Sequence, residues 1–71
     1  MTIEEFAIKL GIRIKALREE RGLSQQQLAS KCDFEKSNMS RIESGNTIPS
    51  LKSLFKISTA LEMKLSVLLD V

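Results

Sequence analysis

The stretch Gln25–Ser44, QQQLASKCDFEKSNMSRIES, decides how this chain is read. It divides into two short helical patterns joined by a tight turn. In the first pattern Leu28, Ala29 and Cys32 fall on one side; in the second, Met39 and Ile42 are three apart and share a face. Phe34 lies between them and can plug the corner, and the small Ala29 lets the second helix cross close by. On a helical period, Lys36, Ser37, Ser40, Arg41 and Ser44 take the opposite arc of the second helix. That arc is rich in hydroxyls, carries two cations and contains no apolar residue. A helix with donors on one face and a packed face on the other can lie in a major groove.

Working outward, the flanks add three helices. The first is expected from about Thr2 to Arg21. Thr2 and Glu5 have the spacing of a capping box, and Gly22 stops the helix. Ile3, Phe6, Ala7, Leu10, Ile14 and Leu17 line one of its faces. The helix that opens the quoted stretch starts at Ser24, which forms a second capping box with Gln27, while Leu23 and Leu28 can form a hydrophobic staple. The next spans roughly Lys36 to Ser44 and ends at Gly45. Pro49 and Ser50 open a fourth helix expected to bury Leu51, Leu54, Ile57 and Leu61, and a short fifth begins at about Leu65. There is no linker, repeat or low-complexity stretch, so residues 1–71 read as one all-α domain, a compact five-helix bundle.

With these flanks the motif resembles the helix-turn-helix family of phage repressor and Cro type, also called XRE. Counting from Gln25, its apolar positions four, eight, ten, fifteen and eighteen are Leu28, Cys32, Phe34, Met39 and Ile42, and the small residue at position five is Ala29. RIKALREERGLSQQQLA leads in and SRIESGNTIPSLKSLFKISTAL follows, so the likeness covers roughly Leu10 to Leu69. The resemblance implies a lambda-repressor-like fold that binds double-stranded DNA. It also implies a backbone phosphate at Gln25, and a pair between Arg18 and Glu43 that orients the recognition helix. The chain departs from the pattern at four places. Asp33 stands where the turn usually has Gly, and Glu35 where a Ser or Thr caps the recognition helix. Glu62 and Lys64 replace a typical Gly and Ser before the last helix.

On chemistry alone, Lys36, Ser37 and Arg41 suit base edges: Arg and Lys pair with guanine O6 and N7, and a serine hydroxyl donates or accepts. Ser40 shares their arc, and Asn38 at its edge can serve a base or a phosphate. Gln25 opens a helix whose amides and dipole favour a phosphate. Asn46 and Thr47 follow the recognition helix, where side chains and free amides can grip the next phosphate. The competing readings are a merely solvated helix face, an ordinary polar turn at Asn46 and Thr47, and unpaired surface charges at Arg18 and Glu43.

Composition sets the outer bounds. The 71 residues carry a formal net charge of +2 and a pI near 8.9. That balance is too weak to indicate nucleic acid by itself, so the argument rests on where the cations sit. With 42 % hydrophobic residues, a small core is expected. Cys32 is the one cysteine and there is no histidine, which excludes an internal disulfide and a Cys/His zinc set. Cys32 reads as a core residue. No catalytic nucleophile–base pair or Gly-rich phosphate loop is present, so neither an enzyme nor a cofactor is expected. No apolar run approaches the ~20 residues of a membrane span, and a cytoplasmic setting is expected. Ile8, Ile12 and Ala16 form a second apolar face on the first helix, and Val67, Leu69 and Val71 lie in the tail. Both are candidate homodimer surfaces or, equally, extra core.

The expected function is sequence-specific regulation of transcription, with repression by operator occupancy as the simplest mechanism. The alternative is a protein-binding module with the same fold: the antitoxin of a toxin–antitoxin pair, or a restriction-modification controller. A toxin protein would then join DNA as a partner.

Overall fold

The computed structural model describes residues 1–71. Five helices follow one another with short turns: α1 (Ile3–Glu20), α2 (Gln25–Lys31), α3 (Lys36–Ser44), α4 (Leu51–Ala60) and α5 (Leu65–Leu68). The first two begin as the capping pattern predicts. The Thr2 hydroxyl accepts from the Glu5 amide while the Glu5 carboxylate accepts from Thr2 N. Ser24 and Gln27 make the same reciprocal pair. Each box satisfies two of the helix-start donors that would otherwise be unpaired. The α3 start is different: Glu35 is the N-cap and its side chain makes no capping bond.

The turns at the ends of α2 and α4 share one geometry. Asp33 and Glu62 both take φ 58, in the left-handed region. Past each of them the next amide reaches back into the helix, Phe34 N to Ala29 O at 2.8 Å and Met63 N to Ser58 O at 2.9 Å. These are Schellman turns, which usually place Gly in the left-handed position. Asp tolerates that backbone better than most residues; Glu does not.

All five helices supply the core. Leu10 and Ile14 meet Leu28, Ala29 and Cys32, then Met39 and Ile42, then Leu54, Ile57, Leu61 and Leu68. Phe34 packs against this cluster at the α2–α3 corner, half-buried, with Lys56 Nζ 5.9 Å from its ring centroid. Cys32 is buried, and that burial pushes its thiol pKa up, outweighing the opposing pull of Lys56. Arg21, the α1 cap, donates from Nε to Leu61 O at 3.0 Å and so ties α1 to the end of α4.

Two expected core positions are corrected. Leu51 is 70 % exposed and Ile3 is also exposed. Each lies in the first turn of its helix, on the correct side but beyond the point where a neighbouring helix covers it. Ser58 instead completes the buried face of α4, its hydroxyl donating to Phe55 O at 2.8 Å. Leu69, one of the tail residues that read equally as dimer surface or extra core, is the C-cap of α5 and packs partly against the core.

Candidate nucleic-acid interface

The interface is built on α3, and its inner side comes first. Met39 and Ile42 are fully enclosed by the core, and Glu43 is buried beside them. A buried carboxylate is tolerated only with a full set of partners, and Glu43 has them. Arg18 Nε donates to its Oε2 at 2.7 Å and Arg18 Nη2 to its Oε1 at 3.0 Å, a two-point ion pair. Gln25 Nε2 also donates to Oε1, at 3.0 Å. Arg18 Nη1 is taken up by Leu23 O at 2.8 Å. No buried side-chain polar atom is left without a partner. The hydrogen bond to Glu43 raises the Arg18 pKa further above its usual range, more than burial lowers it. One network therefore joins α1, the turn before α2, the start of α2 and the end of α3.

Steric contact adds to the electrostatics. Gly11 sits mid-α1, and a Cβ there would stand 2.5 Å from Glu43 O and 2.6 Å from Ile42 O. The α1 backbone thus lies directly against the last turn of α3. Gly45, at φ 77, ends α3, and a Cβ there would come 2.9 Å from Ile8 Cα. Two glycines therefore set the α1–α3 separation. The sequence held a signal for the first: a glycine inside a long helical pattern is costly unless something must come close.

The outer side of α3 is open. Lys36, Ser37, Ser40, Arg41 and Ser44 are all exposed and Asn38 is half-buried. Ser44 turns its hydroxyl back to Arg41 O at 3.1 Å; the others make no side-chain hydrogen bond. Around this arc the phosphate candidates differ from expectation. Gln25 stands at the start of α2, half-buried, with one amide hydrogen committed to Glu43. Asn46 has an exposed side chain, but its backbone amide is not free, because it donates to Arg41 O at 3.0 Å. Thr47 is half-buried. No group of three His, Cys, Asp or Glu side chains is placed to hold a metal ion. No helix is long and apolar enough to cross a membrane.

The Helix-turn-helix family model HTH_3 matches residues 14–68, from the middle of α1 through α5. The chain belongs to this helix-turn-helix family, the XRE type. Within the family it is similar to the HTH-type transcriptional regulator SinR of Bacillus subtilis (strain 168), 42 % identical over 62 residues. Those residues are 86 % of this chain but 56 % of the regulator, so the chain spans just over half of that relative's length. Among solved structures it is similar to SinR in complex with DNA, with a TM-score of 0.80 and 40 % identity over 86 % of this chain and 98 % of that one. SinR is also known in a complex with the SinI protein, which this chain matches with a TM-score of 0.81. The restriction-modification controller C.AhdI from Aeromonas hydrophila gives a TM-score of 0.85 and 34 % identity over 87 % of this chain and 94 % of that one. These helix-turn-helix relatives are regulators, and the family is one of DNA-binding transcription regulators rather than enzymes.

Proposed function

We propose that this chain binds duplex DNA sequence-specifically through α3 and regulates transcription by occupying its operator. One observation carries the reading: α3 presents a wholly polar exposed arc with two cations, while its inner side is locked by a buried, fully bonded ion pair. A surface helix that needed only solubility has no use for so rigid a mount. The likeness to SinR, solved in complex with DNA, supports DNA as the ligand.

In this reading Lys36, Ser37 and Arg41 read base edges, and Ser40 and Asn38 contact bases or the adjoining backbone. The exposed side chain of Asn46 and the half-buried one of Thr47 hold a phosphate on one side. At the other side Gln25 offers its second amide hydrogen to a phosphate while the first keeps hold of Glu43. The protein acts as a homodimer through the tail, where Val67 and Val71 remain 47 % and 40 % exposed. Arg13 fastens that tail to α1, donating to Leu68 O at 3.0 Å and Val67 O at 2.9 Å. Leu69 steadies it from within.

The test is affinity on DNA selected from a random pool against a scrambled control. Arg41→Ala and Lys36→Ala each lose about 1–3 kcal/mol of base discrimination at defined positions. Log affinity falls with log salt by about 0.9 for each phosphate neutralised. Equal affinity for both DNAs, unchanged in Arg41→Ala, overturns the reading. The extent of the match to C.AhdI supports one second reading, control of a restriction-modification operon. It predicts that the selected sites lie upstream of a nuclease or methyltransferase gene.

A further inference from the structure

The outer face of α1 serves neither the core nor the arc of α3, yet it is patterned. Glu5, Ile8, Ile12 and Lys15 are all exposed, at spacings of three, four and three. That is the spacing of a coiled-coil seam. Ile8 is 50 % and Ile12 63 % exposed, on the side of the helix away from the buried Leu10 and Ile14. The seam carries opposite charges at its two ends, Glu5 towards the N-terminus of α1 and Lys15 towards its C-terminus.

We infer that this face docks a second copy of the same chain, with the two α1 helices antiparallel. A two-fold axis at the level of Leu10 sets Ile8 of each copy against Ile12 of the other, and Glu5 of each against Lys15 of the other. One axis satisfies all four pairs. A parallel arrangement sets Glu5 against Glu5 and Lys15 against Lys15, so charge selects the direction. The Glu5 carboxylate is available: Oε1 accepts from Thr2 N at 3.2 Å, and Oε2 makes no bond within the chain. Ile8 is held in place, because its side chain lies over Gly45, which has no Cβ to exclude it. Holding it beforehand lowers the entropy cost of docking. Two isoleucines per copy bury far less than the roughly 1,200–2,000 Å² of a stable interface. The contact is therefore weak between free chains. It becomes effective when another contact or a shared DNA raises the local concentration to about the millimolar range.

The experiment uses the Val67→Glu/Val71→Glu background, so that the tail contributes nothing. Two variants, Ile8→Cys and Ile12→Cys, are oxidised separately and as a mixture. The antiparallel seam predicts that links between the two variants exceed links within either one by about tenfold, since only the mixed pair brings its sulfurs within bonding reach. Sedimentation then follows the strength of the contact. Association is weakened about tenfold by Ile12→Glu and again by Lys15→Glu, and is restored in Glu5→Lys/Lys15→Glu. Circular dichroism reports whether each variant is folded, and the cross-linking stands if the charge-swapped one is not. The proposal is overturned if self-links match mixed links. It is equally overturned if Lys15→Glu leaves association unchanged, or if the parent shows none at millimolar concentration.

Discussion

The recognition helix α3 and the terminal helix α5 are both short, and both turn part of themselves to solvent, but they are mounted in opposite ways. α3 has nine residues and is held on its inner side by Met39, Ile42 and a charged network reaching back to α1. α5 has four residues, one fully buried side chain in Leu68, and a tether from Arg13 to its last carbonyls. Where the exposed side is proposed to meet DNA in register, the fold uses a two-point ion pair and two glycines that bring backbones together. Where the exposed side need only be apolar, the buried Leu68, the partly buried Leu65 and Leu69 and one arginine suffice. The difference predicts that damage behind α3 disturbs stability and binding together, while damage at Val67 or Val71 leaves stability intact and disturbs the proposed assembly and, through it, operator affinity.

The largest effect should come from Glu43→Ala. It leaves the Arg18 guanidinium buried without its acceptor and removes the partner of Gln25. The expected cost is about 3–5 kcal/mol in denaturant unfolding. Removing both charges in Arg18→Met/Glu43→Leu should recover much of it, because the penalty belongs to the stranded ion rather than to the missing pair. A cost under about 1 kcal/mol for the single variant, typical of surface pairs, would show that the network is solvated.

Next comes Gly11→Ala. Alanine gains about 0.5–1 kcal/mol over glycine inside a helix, but here the new methyl meets two backbone carbonyls of α3. Backbone cannot swing aside as a flexible side chain can, so the crossing must open. The net loss should be about 1–3 kcal/mol, the usual range for overpacking. DNA affinity should fall by more than the unfolded fraction explains, since α3 shifts in the folded protein too. A variant that is stabilised instead would mean that the α1–α3 contact is looser than the structure shows.

These two variants also mark how far the sequence could be read. The five helices, both capping boxes and most of the core follow from periodicity and cap chemistry, which act within a few residues of each other. The polar arc of α3 follows for the same reason. Periodicity identifies a face but not where the opposing helix ends, which is why Leu51 and Ile3 read as core and stand exposed. Leu69 reads equally as surface or core and packs partly inward, since a terminal helix of four residues has too little pattern to show which side turns in. The pairing of Arg18 with Glu43 spans 25 positions, and in the sequence it rests on family likeness. The bond from Gln25 to the same carboxylate has no signal at all, because nothing near a glutamine in sequence marks a partner 18 positions away. Gly11 had a signal with two meanings, a weak point or a close contact, and only the packed structure separates them.

The smallest effects concern the turns, which sharpen the contrast between strain and contact. Glu62 holds φ 58 with no glycine to absorb it. A left-handed L-residue costs roughly 1–2 kcal/mol, and glycine gives back part of the relief through the greater freedom of the unfolded chain. Glu62→Gly should therefore stabilise by about 0.5–1 kcal/mol, or roughly 4–8 °C of melting temperature per kcal/mol for a domain this size. Asp33→Gly should gain less, because aspartate already tolerates the conformation. The mirror experiment is Gly22→Ala. Gly22 has φ 69 and open space around its missing Cβ, so only the backbone term acts, and the loss should be about 1 kcal/mol. Gly45→Ala has nearly the same φ but also drives a methyl into Ile8. It should cost clearly more than Gly22→Ala, and the excess measures how firmly the turn after α3 is pressed against α1. If the two glycine variants melt together, that turn is not pressed on α1, and the rigid mount of α3 then rests on the Gly11 crossing, the buried Met39 and Ile42 and the Arg18–Glu43 network.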